Sequence, residues 1–196
     1  MAEKRKPRMR RVPVSDAGQA RPPEESAPHP VNEPPSCDCA RLERHEWHEV
    51  ESDWSEITFA KIGLSAFFGV PIRFWSNRRK LIKRAEAVGV VPEDAMLLLG
   101  PGRVRRPVLL EVEDVDASRR GFHVPGGVVF TRLLPAPWGE MKALMKETIA
   151  IARDRYGRDP DTVWVWYLTC RRCSADRNFE TLFVAHYRQR PQKAQG

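Results

Sequence analysis

Gly127-Val128-Val129-Phe130-Thr131-Arg132-Leu133-Leu134 opens the stretch that decides the fold. Its β-branched and aliphatic side chains suit a strand. Pro137 follows, and a first helical turn tolerates Pro because its missing N–H has no partner there. Met141, Leu144, Met145, Thr148, Ile149, Ala152 and Tyr156 then recur at helical spacing and predict a buried stripe. Arg153 and Arg155 suit the negative end of the helix dipole, and Gly157 is placed to stop the helix. Residues 163–169 and 179–187 supply two further strands. The order is strand, helix, strand, strand.

The same order stands upstream. Ile57-Thr58-Phe59-Ala60-Lys61-Ile62 reads as a strand. A helix is expected after Ser76, a good N-cap, with Leu81, Ile82, Ala85 and Val88 on one face and Gly89 at its end. Ala95-Met96-Leu97-Leu98-Leu99 and the run 107–113 follow as strands, joined across Gly100-Pro101-Gly102. Trp75 and Trp138 match at the two helix starts, with Pro71 and Pro135 before them. Identity between the copies is poor, so the repeat rests on element order and punctuation. Two such modules predict an α+β domain: one antiparallel sheet, helices on one side, and a ligand cleft between the modules.

The charge lies mostly elsewhere. The 196 residues carry a formal net charge of +7. Residues 1–36 hold seven Lys/Arg, five acids and eight of the 17 prolines, with almost no aliphatic periodicity. Such a segment offers too little apolar surface to offset its ordering entropy, and a disordered tail is expected. Residues 188–196 add Arg188, Arg190 and Lys193 and no acid. The part between, 37–187, is nearly balanced and reads as a single domain with a leading segment at 37–56. The first twelve residues, with six basic side chains against one acid, could hold nucleic acid in a salt-sensitive way. No apolar stretch is long enough for a membrane helix, and no apolar run follows the basic start. A cytoplasmic protein with no membrane partner is expected.

Alternation along the strands sorts the candidate site residues. Trp164, Trp166 and Leu168 share one face, opposite Val165, Tyr167 and Thr169. Leu109, Glu111 and Glu113 share a face, and Glu180 falls with Leu182, Val184 and His186. Each module therefore ends on a strand that sets a carboxylate beside aliphatic side chains. A carboxylate in an apolar cleft has its pKa raised by desolvation and can act as a general base.

The element order, with the aromatic strand Trp164-Val165-Trp166-Tyr167-Leu168, resembles the GyrI-like (DNA-gyrase-inhibitor-like) small-molecule-binding family over residues 57–187. The resemblance implies two modules around a cleft for a hydrophobic, often cationic compound. Some members are hydrolases that open strained cyclopropane rings. It implies an aromatic slot for a planar ligand, here Trp138, Trp164, Trp166 and Tyr167, and an acid to activate water. Members often carry that acid inside the aromatic strand. Val165 stands there in this chain, so Glu111 and Glu180 are the candidates. No helix-turn-helix is visible before residue 37, which argues against a transcription activator.

Four cysteines come as two pairs, Cys37-x-Cys39 and Cys170-x-x-Cys173. Without a secretory signal a disulfide framework is not expected. Together the pairs could complete a tetrahedral thiolate zinc site that ties the leading segment to the loop between the last two strands. A rival set is Cys37, Cys39, His45 and His48. A thiol redox pair is a third option, because Arg171 and Arg172 favour thiolate. His45-Glu46-Trp47-His48 lacks the HExxH spacing of zinc proteases, and Pro125-Gly126-Gly127 lacks the Lys-Ser/Thr of a phosphate loop. No organic cofactor is expected. Three functions stay open: a small-molecule hydrolase or binder, a zinc-stabilised interaction protein with a nucleic-acid-binding arm, and a thiol redox sensor.

Overall fold

The computed structural model describes residues 37–189, apart from Asp38 and Gly69. The basic arm at 1–12 and most of the C-terminal tail lie outside the described residues.

The first module runs β2 (Thr58–Phe67), α2 (Phe74–Glu86), β4 (Leu97–Leu99) and β5 (Arg105–Val112). A short β3 (Val70–Pro71) folds back on the end of β2. The second module runs β7 (Val128–Pro135), α3 (Met141–Tyr156), β8 (Thr162–Tyr167) and β9 (Glu180–Tyr187). In the first, β5 lies between β2 and β4; in the second, β9 lies between β7 and β8. The modules meet where Leu99 of β4 pairs with Val165 of β8. The result is an α+β protein built on a nine-stranded antiparallel sheet, with the expected repeat.

Both long helices cover one face. Leu99 packs in the cluster under α2, with Ala60, Leu81, Ala85 and Leu110. Val165 packs in the cluster beside α3, with Leu134, Phe183 and Met141. Paired residues of an antiparallel ladder share a face, so α2 and α3 lie on the same side.

The other face is covered by residues 39–57, the strap. It carries α1 (Arg44–Trp47) and β1 (Val50–Asp53), and β1 adds to the free edge of β7. Trp47 and Trp54 sink into a core with Phe59, Leu98, Leu109, Trp164, Trp166 and Val184. Trp47 meets Trp166 edge-on, with ring centroids 6.1 Å apart. Aromatic burial on this scale makes the strap part of the domain rather than a lead-in. The Thr131 hydroxyl donates to the Trp47 carbonyl at 2.7 Å, and the Trp54 amide donates to Gly127 O at 2.8 Å. A last small strand, β6 (Phe122–His123), pairs with the outer edge of β2.

Local details differ from expectation at the helix starts. Ser76 does not cap α2. The helix starts at Phe74, after Arg73 turns the chain with a left-handed φ of 53°. Ser76 lies inside the first turn and its hydroxyl donates back to Arg73 O at 3.1 Å. Pro137 likewise sits in a turn before α3, which begins at Met141. Gly157 ends α3 in the left-handed conformation, φ 69°, as its position suggested. Gly89 follows α2 for a steric reason: a Cβ there would stand 2.6 Å from the Glu113 carbonyl oxygen.

Candidate functional site

The strap face has two polar ends, one at each end of β8. At the C-terminal end all four cysteine sulfurs lie within 4.8 Å of one another. Tetrahedral zinc with Zn–S bonds near 2.3 Å sets sulfurs about 3.8 Å apart. The Cys170 and Cys173 sulfurs are 3.9 Å apart. The Cys170 amide donates to Cys173 Sγ, and the Cys173 amide closes a turn on Cys170 O. The Cys170 thiol is pulled down to about 6 by the backbone N–H groups of Cys173 and Arg172. Burial, with hydrogen bonds from the other three thiols, pushes Cys39 up to about 12. The residues fit a metal ion such as zinc.

His45 and His48 are not part of this set. The His48 Nδ1–H donates to Leu133 O at 2.9 Å, and its Nε2 accepts from Arg44. Burial lowers its pKa, so the ring serves as a neutral link between α1 and β7.

Arg177 braces the cysteine end. It donates to Leu168 O at 3.0 Å and to Ala40 O at 2.8 Å, which joins the strap to the end of β8. Its guanidinium also grips Glu180 Oε2. Glu180 is thereby committed to an ion pair. Glu111 is 8% exposed on the strap face, and its Oε2 accepts the Met96 amide at 3.0 Å where β4 begins.

The four aromatic residues do not form one slot. The sheet lies between them. Trp164 and Trp166 are buried under the strap, whereas Tyr167 points to the helix face. There Trp138, 75% exposed, stacks on Tyr167 with centroids 6.1 Å apart. Period-two alternation alone separates neighbouring strand residues in this way.

At the N-terminal end of β8 both modules line a pocket of 450 Å³. Lys61 comes from β2 and His123 from β6; Thr162 and Trp164 come from β8, and His186 and Arg188 from β9 and just beyond it. Three prolines complete the wall. His186 is 3% exposed and stacks on Trp54, with centroids 5.7 Å apart. Its Nε2 lies 2.8 Å from Gly126 O. A carbonyl only accepts, so Nε2 carries the proton and Nδ1 is the basic nitrogen. No described residue hydrogen-bonds Nδ1. Burial lowers the His186 pKa, against opposing contributions from Gly126 and Asp161. The His123 pKa is also lowered, by burial and then by the charge of Lys61 and of neighbouring His186 and Arg188.

The sequence reading did not single out His123 or His186. The two lie far apart in the chain and meet only because β6 and β9 come to the same hollow. A clue was present: His186 shares a strand face with Glu180, Leu182 and Val184.

A family model described as bacterial hydrolase matches residues 29–185. The chain belongs to the bacterial hydrolase family. No curated protein and no solved structure matches the chain. The family match is compatible with hydrolysis as the reaction type. The resemblance to GyrI-like proteins rests on the element order alone. Among the described residues no helix is long and apolar enough to cross a membrane.

Proposed function

We propose that this protein is a small-molecule hydrolase of GyrI-like architecture, with its reaction centre in the pocket between the modules. The observation that carries the reading is His186. It is a buried imidazole whose tautomer is set by Gly126 and whose Nδ1 has no hydrogen-bond partner among the described residues. With its pKa held below the ordinary value, the ring is neutral at neutral pH and ready to accept a proton. In this reading Nδ1 takes a proton from water as the hydroxyl adds to an acyl carbon. The same proton then goes to the leaving oxygen. Glu111 and Glu180 hold the start of β4 and the loop before β9, so we assign water activation to the histidine.

The four thiols, in the same reading, hold structural zinc that clips the strap to the sheet. A second reading keeps the planar hydrophobic ligand on the helix face, favoured by the exposed Trp138–Tyr167 stack.

A panel of p-nitrophenyl esters tests the first reading. His186→Ala is expected to lose about 10²–10⁴ in turnover, the usual worth of a general base, with an unchanged circular-dichroism spectrum. Wild-type turnover in His186→Ala overturns it. Loss in Glu111→Gln instead hands the role to the carboxylate. Saturable fluorescence quenching by planar compounds that vanishes in Trp138→Ala, but persists in His186→Ala, carries the second reading.

A further inference from the structure

We infer that the pocket between the modules binds an anion, and that its substrates carry a carboxylate or phosphate close to the bond that is cut. This rests on the hydrolase reading of the same pocket and adds the substrate class. The resemblance to GyrI-like proteins implies the opposite charge, a cationic ligand met by an acid.

The lining supplies cations and donors. Lys61 and Arg188 face the hollow, and the side chain of neither has an ion-pair partner among the described residues. Among the described residues no carboxylate lines the pocket. The nearest acid is Asp161. It accepts the Arg188 backbone amide at 2.8 Å and lies 3.6 Å from Arg158 Nη1, so its charge is already met outside the lining. The indole N–H of Trp164 is buried without a hydrogen-bond partner, in a side chain that lines the pocket and is 8% exposed. A buried donor without an acceptor is costly, and a ligand oxygen is one way to meet it. His123 adds a second imidazole whose pKa is lowered partly by these cations. Two cations without an ion-pair partner among the described residues, beside an unmet N–H, call for a group rich in oxygen and negative charge. A neutral ligand could offer oxygens but no countercharge, and a cationic one would add to the repulsion.

The pocket volume of 450 Å³ suits a small organic molecule rather than a polymer. The three prolines give it apolar walls, so an acyl chain or ring can lie against them while the anion meets Lys61 and Arg188.

The test has a binding arm and a turnover arm, both on the full chain. In the binding arm, benzoate is expected to quench tryptophan fluorescence saturably, and benzyl alcohol, its neutral counterpart, is not. Raising the salt concentration should weaken benzoate. Lys61→Ala and Arg188→Ala should each weaken it by about tenfold, the worth of one charged hydrogen bond, while Lys61→Arg restores it. In the turnover arm, the ratio of kcat/KM for p-nitrophenyl succinate to that for p-nitrophenyl acetate should fall by a similar factor in the same variants. Equal affinity for benzoate and benzyl alcohol, or an unchanged ratio in both alanine variants, overturns the inference. If no ester is cleaved, the hydrolase reading fails, and benzoate against benzyl alcohol still decides the anion site. Phosphate and acetate as competitors separate the two anion types: inhibition by phosphate alone assigns a phosphate ester, and inhibition by acetate alone a carboxylate.

Discussion

The two ends of the strap face are built from opposite materials. One gathers four soft thiols around a point, where Cys170 is held down near 6 and Cys39 is pushed up to about 12. The other gathers two imidazoles, Lys61 and Arg188 around a hollow. A hydrophobic layer with four tryptophans, Trp47, Trp54, Trp164 and Trp166, lies between them. The cysteine end has no room for anything larger than an ion, and Arg177 and Glu180 answer each other beside it. The imidazole end leaves donors unanswered and has room for a molecule. The contrast teaches how to tell a structural site from a working one. The first satisfies its own groups once a cation is bound; the second needs a visitor to do so.

The strap couples the two ends, and breaking the cysteine end has the largest expected effect. Removal of a bound metal by a chelator, or Cys170→Ser with Cys173→Ser, should free the strap and lower Tm by about 10 °C or more, as loss of a few kcal/mol does in a domain of this size. Native mass spectrometry before and after chelation checks the cause. A mass two hydrogens lighter per pair, with no metal, would mean a disulfide instead. Unchanged Tm on chelation of a protein shown to carry metal would end the account of a structural clip.

Arg177→Ala sharpens the same end at smaller scale. It leaves Leu168 O, Ala40 O and the Glu180 carboxylate without this donor. A cost of about 1–3 kcal/mol is expected in urea unfolding, the range for stranding buried acceptors. Arg177→Lys should recover only part, since one ammonium cannot span three acceptors in fork geometry.

The smallest effect belongs to the pocket end and to pH. His48, His123 and His186 all have pKa values lowered in the folded protein, each chiefly by burial. The unfolded chain therefore binds more protons just below the ordinary histidine value of about 6.5. Stability should be full above that value and fall as pH drops through the window down to the folded pKa values. Asp161, Lys61, His123 and Arg188 are the titratable and charged groups around His186; Asp161 and the Gly126 carbonyl oppose the shift, and Arg188 adds to it. His186→Asn should flatten the pH profile of Tm between pH 7.5 and 5.5. An equally steep profile in that variant would mean that His186 titrates normally.

Much of this architecture was legible residue by residue. Two modules of strand, helix, strand and strand follow from periodicities of two and 3.6, because local side-chain spacing reports which face is buried. The cysteine spacing likewise announced a four-thiol site, since close pairs already bring two ligands together. The short elements were not legible. Four residues at Val50–Asp53 and two at Phe122–His123 carry no measurable period, and they are strands only because β7 and β2 offer free edges. The strap was read as a lead-in because its two tryptophans find their partners far along the chain, in Trp166 and in His186.

Chain order alone thus determined the element order, the repeat and the thiol pairs, all of which depend on near neighbours. Tertiary structure decided which aromatics share a face, which carboxylates are already spoken for, and that two distant histidines meet Lys61 and Arg188 in one hollow. Those depend on how the modules pair across Leu99 and Val165, a contact between residues remote in sequence. The formal +7 follows the same division: its surplus sits mainly in the tails, while the charge that bears on function is the small unpaired share in one hollow of the folded domain.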